Sequence, residues 1–362
     1  MKVFISWSGG RSRSVAEALR SWLPAVLQQV RPWLSGYDIE AGSRWSSEMA
    51  LQLEEASFGI LCLTPENLNA PWLLFEAGAL SKKLDGARVC PYLFGFEPSE
   101  LTGPLVQFQA ARADKEDTER LLMAMNHALG EIRLSESVLK RVFGKWWPEL
   151  EEALSHVPRN LRHEKTAPQT ASGGVEPHLS HGNAKESAGR PTLEQVVGEL
   201  LIPGDVPSDE VASRADRRQY VFIVHGQTHG YVEEVARFIE GLGPKAIILH
   251  EQPSQGLTVI EKLETYSDVG FAVVIMTGDD IGGPVSSAPR RRARQNVILE
   301  LGYFLAKLGR TRVCVLYEDE VEIPSDYAGV LYIRLSRDGA WQLALARELK
   351  VAGIKLDFKR AF

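Results

Sequence analysis

The sequence predicts an α/β protein of two similar units, each a five-stranded parallel sheet with helices on both faces, joined by a flexible linker. Three observations carry this. Short apolar runs of strand length alternate with amphipathic stretches of helical spacing, the pattern of a parallel sheet built from β-α units. The alternation gives way to a polar stretch near residue 158 and restarts in the same order near residue 219. One segment also recurs. Phe75-Glu76-Ala77-Gly78-Ala79-Leu80-Ser81-Lys82-Lys83-Leu84, followed by Arg88-Val89-Cys90, returns as Leu299-Glu300-Leu301-Gly302-Tyr303-Phe304-Leu305-Ala306-Lys307-Leu308, followed by Arg312-Val313-Cys314. Glu, Gly, Lys, Leu, Arg, Val and Cys all repeat at one offset.

In the first unit, residues 3–5 read as a strand and 15–23 as an amphipathic helix through Val15, Ala18, Leu19 and Trp22. Residues 32–34 close a second strand, and 43–56 have helical spacing. The apolar run 58–63 reads as a strand covered on both faces. Pro71 opens a helix through residue 84, in the first-turn position proline tolerates. Residues 89–94 form a fourth strand and 106–110 a fifth, and a helical stretch over 114–155 closes a domain spanning 1–157. Residues 158–218 are the linker, rich in Gly, Ser, Pro, His and Asn up to about residue 190, with a short helix over 193–201. Its His163, His178 and His181 lack metal-site spacing. In the second unit, 219–362, strands fall at 220–224, 246–249, 271–276, 313–316 and 330–333. Helices fall at 232–239, 258–266, 295–308 and 341–349.

A chain of 362 residues, 44% hydrophobic and 24% charged, suits two globular domains with a core each. A net charge of −6 excludes a wholly basic nucleic-acid surface, while leaving room for a dinucleotide in a local basic pocket. Cys62, Cys90 and Cys314 sit in apolar runs with no CxxC pair, and read as buried strand thiols in a reducing compartment. The chain opens on a strand, Lys2-Val3-Phe4-Ile5-Ser6, instead of a signal peptide, and no apolar run has the length of a membrane span. The expectation is a cytoplasmic protein without membrane or nucleic-acid partners.

Glu76 and Glu300 border the apolar stripe of their helices, where a carboxylate is costly unless it has partners or lines a cavity. Both helices start beyond the carboxyl end of a third strand, the edge at which open parallel sheets bind ligands. One loop leaves the first strand of each unit at that edge. The two are Ser6-Trp7-Ser8-Gly9-Gly10-Arg11-Ser12 and His225-Gly226-Gln227-Thr228-His229-Gly230. They read either as simple strand-to-helix turns or as backbone N–H cradles for phosphate. Neither matches a Walker loop or the GxGxxG fingerprint. After the second strands come Asp38-Ile39-Glu40-Ala41-Gly42-Ser43-Arg44-Trp45 and Glu251-Gln252-Pro253-Ser254-Gln255-Gly256. Trp45 is placed either to stack on a base or partner or to pack on its own helix. The run Arg290-Arg291-Arg292-Ala293-Arg294 is either a solvated loop or the source of an arginine facing a pyrophosphate.

At these residues the chain resembles a known family. Phe4-Ile5-Ser6-Trp7-Ser8, Asp38-Ile39 with Gly42 and Trp45, and Trp72-Leu73-Leu74-Phe75-Glu76-Ala77-Gly78-Ala79 make the first unit similar to a bacterial Toll/interleukin-1 receptor (TIR) domain. The second unit resembles the TIR-like effector domain of bacterial cyclic-nucleotide defence systems (CBASS or Pycsar type). That likeness rests on Phe222-Ile223-Val224-His225-Gly226, Glu251-Gln252-Pro253 with Gly256 and Glu261-Lys262, Thr277-Gly278-Asp279-Asp280, Arg292 through Gly302, and Ile323-Pro324-Ser325-Asp326. Together the likenesses cover nearly all of the chain except the linker and residues 130–160.

The resemblance implies a flavodoxin-like fold and, in catalytic members, cleavage of NAD+ at the nicotinamide–ribose bond by one glutamate on the helix after strand three. That position is Glu76 and Glu300 here. It implies a substrate pocket between the two loops and this helix, which brings in Ser6, Trp7, Ser8, Arg11, Arg44, Trp45 and Trp72 in the first unit. The second unit contributes His225, Gly226, Gln255, Asp280, Arg294 and Asn296. It implies NAD+ as substrate with no cofactor or metal, homo-oligomerisation through TIR–TIR contacts, and activation by a defence protein or nucleotide messenger. The expected function is an NAD+ glycohydrolase of antiphage defence. A synthase of a cyclic ADP-ribose-type signal and a non-catalytic, nucleotide-sensing scaffold are the alternatives. The loops differ between units (Trp7-Ser8 against His225-Gly226), so equal activity is not expected.

Overall fold

The computed structural model describes residues 1–35, 51–82, 88–158, 217–227, 230–253, 256–282, 289–323 and 330–357. The linker over 158–218, the helix over 193–201, Arg44, Trp45 and Gln255 lie almost wholly or wholly outside them.

The first sheet has strands β1 (Lys2–Ser6), β2 (Arg31–Leu34), β3 (Phe58–Leu63), β4 (Arg88–Leu93) and β5 (Ala111–Arg112). They lie in the order β2-β1-β3-β4-β5, every pair parallel. Helices α1 (Gly10–Val26), α2 (Pro71–Leu80), α3 (Lys115–Ala128) and α4 (Glu136–Ser155) accompany it. The second sheet repeats the plan with β6 (Tyr220–Val224), β7 (Lys245–Ile248), β8 (Phe271–Met276), β11 (Val313–Tyr317) and β12 (Leu331–Arg334), ordered β7-β6-β8-β11-β12 and again parallel. Its helices are α5 (Gly230–Gly241), α6 (Val259–Tyr266), α7 (Gln295–Leu308) and α8 (Ala340–Val351). Between β8 and α7 an antiparallel ribbon pairs β9 (Asp280–Gly282) with β10 (Arg290–Arg292).

The helix from Pro71 ends at Leu80 instead of residue 84, the helical stretch over 114–155 is two helices, and two further elements differ in kind. Residues 106–110 are not a strand: Pro104 starts a 3-10 turn over Gly103–Gln107, and the edge strand is the two residues Ala111–Arg112. The arginine run is not a loop either, since Arg290, Arg291 and Arg292 pair with Gly282, Ile281 and Asp280. The cysteines lie in β3, β4 and β11. Cys62 and Cys314 are buried and Cys90 half-buried, and burial pushes the Cys90 and Cys314 thiols up to about 12.

The described residues of both sheets belong to one compact unit. Its centre is the pairing of α2 with α7. A helix apolar on all sides must be covered on all sides, and residues 73–80 and 297–304 are all buried. Phe4, Leu61 and Leu63 of the first sheet and Phe222, Val224 and Val274 of the second join both helices in one continuous core. The opposite faces of the two sheets have separate cores, under α1, α3 and α4 and under α5 and α8. The α2–α7 seam obeys the sequence repeat. A β-carbon on Gly78 would overlap the Leu299 carbonyl oxygen, and one on Gly302 would overlap the Phe75 carbonyl oxygen. Since Phe75 and Leu299 are themselves equivalent, the two helices present the same face to each other, as in a two-fold dimer. Polar contacts bracket the seam: Gln295 Nε2 donates to Asn69 Oδ1 near one end, and Lys82 Nζ to the Ala306 carbonyl, 3.2 Å away, near the other.

Either Gly78→Val or Gly302→Val forces a side chain into backbone that cannot swing aside, so each is expected to cost about 3 kcal/mol. Chemical denaturation of the full chain measures this. Wild-type stability in both variants would mean that the seam does not form.

Candidate functional site

Glu76 lies on α2 within the buried run and is 0% exposed. The Ser6 hydroxyl, at the carboxyl end of β1, donates to its Oε2, while Oε1 has no hydrogen-bond partner among the described residues. Burial pushes the carboxyl up to about 8; Ser6, Trp72 and Ser35 favour the ionised form but are outweighed. Trp72 stacks on Phe75 with ring centroids 5.3 Å apart. Glu300 occupies the equivalent place on α7 and is 7% exposed. Burial alone pushes it up to about 8, and no described residue donates to it. Phe304, one turn along, packs on Phe222 at 4.6 Å, which fixes that face of the helix against β6.

The strand register explains the difference between the two carboxyls. Val3 and Val221 pair with the first residues of β3 and β8, so Ser6 and Val224 stand at the same place in their sheets. A valine there has no donor to offer. Val224→Ser is therefore expected to give Glu300 the bond that Glu76 has and to lower the pH at which it ionises. A carboxyl-carbon titration by isotope-edited NMR reads this directly, and an unmoved midpoint would place the two positions apart.

Most of the remaining sequence candidates have contacts of their own away from the glutamate carboxyls. Trp7 donates its indole N–H to the Ser35 carbonyl at 2.6 Å and carries the Arg13 guanidinium over its ring. Ser8 accepts from Asn67 Nδ2 through its carbonyl and donates its N–H to Ser12 Oγ. Arg11 is paired with Glu66 at 2.9 Å. His225 turns toward the edge strand. Its Nδ1 faces the Gly226 carbonyl at 2.6 Å and its Nε2 lies 2.7 Å from His250 Nδ1. A carbonyl can only accept, so His225 carries a proton on Nδ1. His250 in turn helps line a groove of about 420 Å³ with Val232, Arg237, Ile248 and Glu251. Arg294 lies 4.0 Å from Asp280, Arg291 is paired with Glu318 at 3.1 Å, and Asn296 is exposed.

Sequence reasoning passed over Asp279 in favour of its neighbour Asp280. Asp279 Oδ2 accepts from the Gln227 N–H and the Thr277 hydroxyl, both at 2.8 Å, and so latches the loop after β6 to the loop after β8. A β-carbon on Gly226 would overlap that carboxylate, so a larger residue there would displace the latch. A glycine just past one central strand, with a short polar run past the next, was the available signal.

The comparisons with known proteins bear on the family of both domains. Residues 3–122 match the family model described as TIR domain, and residues 220–337 match that of the CAP12/Pycsar effector protein TIR domain. Over 143 residues, 39% of this chain, it is 50% identical to the uncharacterised protein YuaY of Escherichia coli (strain K12). It spans 48% of that relative, about half its length. Over 140 residues it is 32% identical to Protein tirC of Dictyostelium discoideum, covering 35% of this chain and 70% of tirC. Among solved structures, the TIR domains of the activated Roq1 resistosome recognising the effector XopQ align with 46% of this chain and 90% of that one. That likeness is at 16% identity with a TM-score of 0.24. Among the described residues, no helix is long and apolar enough to cross a membrane. Both family matches support a TIR-based role in defence or signalling. Two parallel sheets in one strand order, each with a glutamate on the helix after its third strand, and two family matches make this chain a tandem bacterial TIR-domain protein, with a TIR domain followed by a CAP12/Pycsar-effector TIR domain.

Proposed function

We propose that this protein cleaves NAD+ at the nicotinamide–ribose bond, with Glu300 as the catalytic carboxylate and Glu76 as a buried structural group. The observation that carries the choice is the contrast between the two sites. Glu76 is wholly buried and already bonded to Ser6, while Glu300 is 7% exposed and receives no hydrogen bond from any described residue. In the reaction the N-glycosidic bond breaks, its electron pair goes to the pyridine nitrogen, and nicotinamide leaves neutral without needing a proton. The ribose carbon becomes oxocarbenium-like, as in glycoside hydrolysis. An ionised Glu300 beside it stabilises that charge in a site with little water. Water then attacks the carbon and loses a proton, giving ADP-ribose.

The first domain supports this chemistry by packing α2 on α7. Assembly with further copies then uses other faces, because these two helices already cover each other. The test is NAD+ consumption by the full chain at high protein concentration, with products resolved by chromatography, comparing wild type with Glu300→Gln and Glu76→Gln. ADP-ribose that vanishes with Glu300→Gln supports the reading, and a cyclic product moves it to a synthase. Persistent NAD+ in an assembled sample moves it to a scaffold.

A further inference from the structure

The helix that carries Glu300 is held by a polar cluster centred on Tyr303, where the counterpart helix has Ala79. Ser267 ends α6 just before β8, and Tyr303 and Lys307 lie three and seven residues beyond Glu300, on the same side of α7. Ser267 and Tyr303 are fully buried, and their hydroxyls are 2.9 Å apart. Lys307 Nζ donates to Ser267 Oγ at 2.6 Å and to Tyr303 Oη at 3.3 Å, and lies 5.5 Å from the tyrosine ring centre. Burial lowers the Lys307 ammonium and raises the Tyr303 hydroxyl to about 12, with Glu264 and Asp268 opposing the fall at Lys307. At the position of Tyr303 the first domain has Ala79.

The contrast has a mechanical meaning. The α2–α7 seam is backbone against backbone at Gly78 and Gly302, so it sets the distance between the helices more firmly than their rotation. In the first domain the Ser6 hydroxyl fixes the Glu76 carboxylate directly. Among the described residues Glu300 has no such donor, so its place is set by the rotation and axial position of α7. A helix with side chains has a radius of about 5–6 Å, so a rotation of about 20° sweeps a carboxylate through about 2 Å. A misplacement of about 1 Å can cost about a hundredfold in rate.

We infer that Ser267, Tyr303 and Lys307 are positioning residues for Glu300, clamping α7 from its far end so that the carboxylate stands undonated at the right depth. The inference rests on the proposed role of Glu300. The test uses the full chain with Ser267→Ala, Tyr303→Phe and Ser267→Thr, beside Glu300→Gln. Ser267→Ala and Tyr303→Phe are expected to lower kcat about ten- to a hundredfold with KM changed less than about threefold. They also shift the Glu300 carboxyl titration, while Ser267→Thr, which keeps the hydroxyl, recovers most of kcat. Tyr303→Phe keeps the ring and its packing, so it tests the hydroxyl without a cavity. If Glu300→Gln is inactive while Ser267→Ala and Tyr303→Phe keep kcat within twofold, the positioning role is wrong and the reading of Glu300 stands. If Glu300→Gln is as active as wild type, the reading of Glu300 falls. The carboxyl titration then decides the clamp by itself: a shifted midpoint in Tyr303→Phe sustains it, and an unmoved one overturns it.

Discussion

Glu300→Gln is expected to reduce NAD+ cleavage by at least about a hundredfold, while Glu76→Gln keeps it within about threefold. Glutamine is nearly isosteric and removes only the charge. Losing one preorganised electrostatic contact to a developing charge costs about 10²–10³ in rate, equivalent to about 3–4 kcal/mol of transition-state stabilisation. The loss belongs in kcat, because the positive charge on the ribose develops fully only in the transition state. Glu76 is not expected to contribute in this way, because no part of it is exposed and Ser6 occupies one of its oxygens. Steady-state kinetics on both variants measure this. Equal losses would show two working sites, and a loss with Glu76→Gln alone would exchange the roles.

The pH dependence follows from the same burial. A carboxyl pushed up to about 8 is mostly protonated at neutral pH, and a neutral acid cannot stabilise an oxocarbenium ion. The acid limb of kcat/KM is therefore expected to rise through about pH 8, since that parameter reports the free enzyme. Bound NAD+ places a cationic ring beside the carboxyl and favours its ionised form. The limb of kcat is expected at lower pH than that of kcat/KM. Coincident limbs would mean that the carboxyl does not adjoin the pyridinium.

Most of the fold was legible because parallel strands covered on both faces read as continuous apolar runs. Phe58–Leu63 and Phe271–Met276 stand where those runs placed them. The repeated glutamate segment pointed to the buried helices for a similar reason, since a charge inside an apolar helix stands out. The fifth strand was misplaced because an edge strand of two residues has no periodicity to detect, and the turn at Gly103–Gln107 interrupts an otherwise apolar run. The pairing of α2 with α7 left a trace that could be read only afterwards. Helices apolar all round need a second cover, and Gly78 and Gly302 mark where it sits. The contrast between Ser6 and Val224 was visible as letters but had no meaning until the register aligned them. Nothing in the spacing of Ser267, Tyr303 and Lys307 announced a cluster, because the serine belongs to a different element.

The buried glutamates should also make the protein less stable as pH rises, and replacing them should remove that dependence. In the unfolded chain each glutamate ionises near its ordinary value of 4.5, whereas in the folded protein each holds its proton up to about 8. Between those limits the folded state binds more protons than the unfolded state, so folding stability falls as pH increases. The contribution is complete below about pH 4.5 and is lost as pH climbs through about 8. The slope is about 1.4 kcal/mol per pH unit for each glutamate, which sums to several kcal/mol against a typical total of about 5–15. Glu76→Gln and Glu300→Gln are each expected to match wild type at pH 4–5 and to be more stable at pH 8–9, with the double variant flattest. Urea unfolding across that pH range measures it, and parallel curves for wild type and variants would mean that both carboxyls ionise freely in the folded state. Glu300→Gln would then combine lost activity with gained alkaline stability, as expected where a functional carboxyl is held at a cost to the fold.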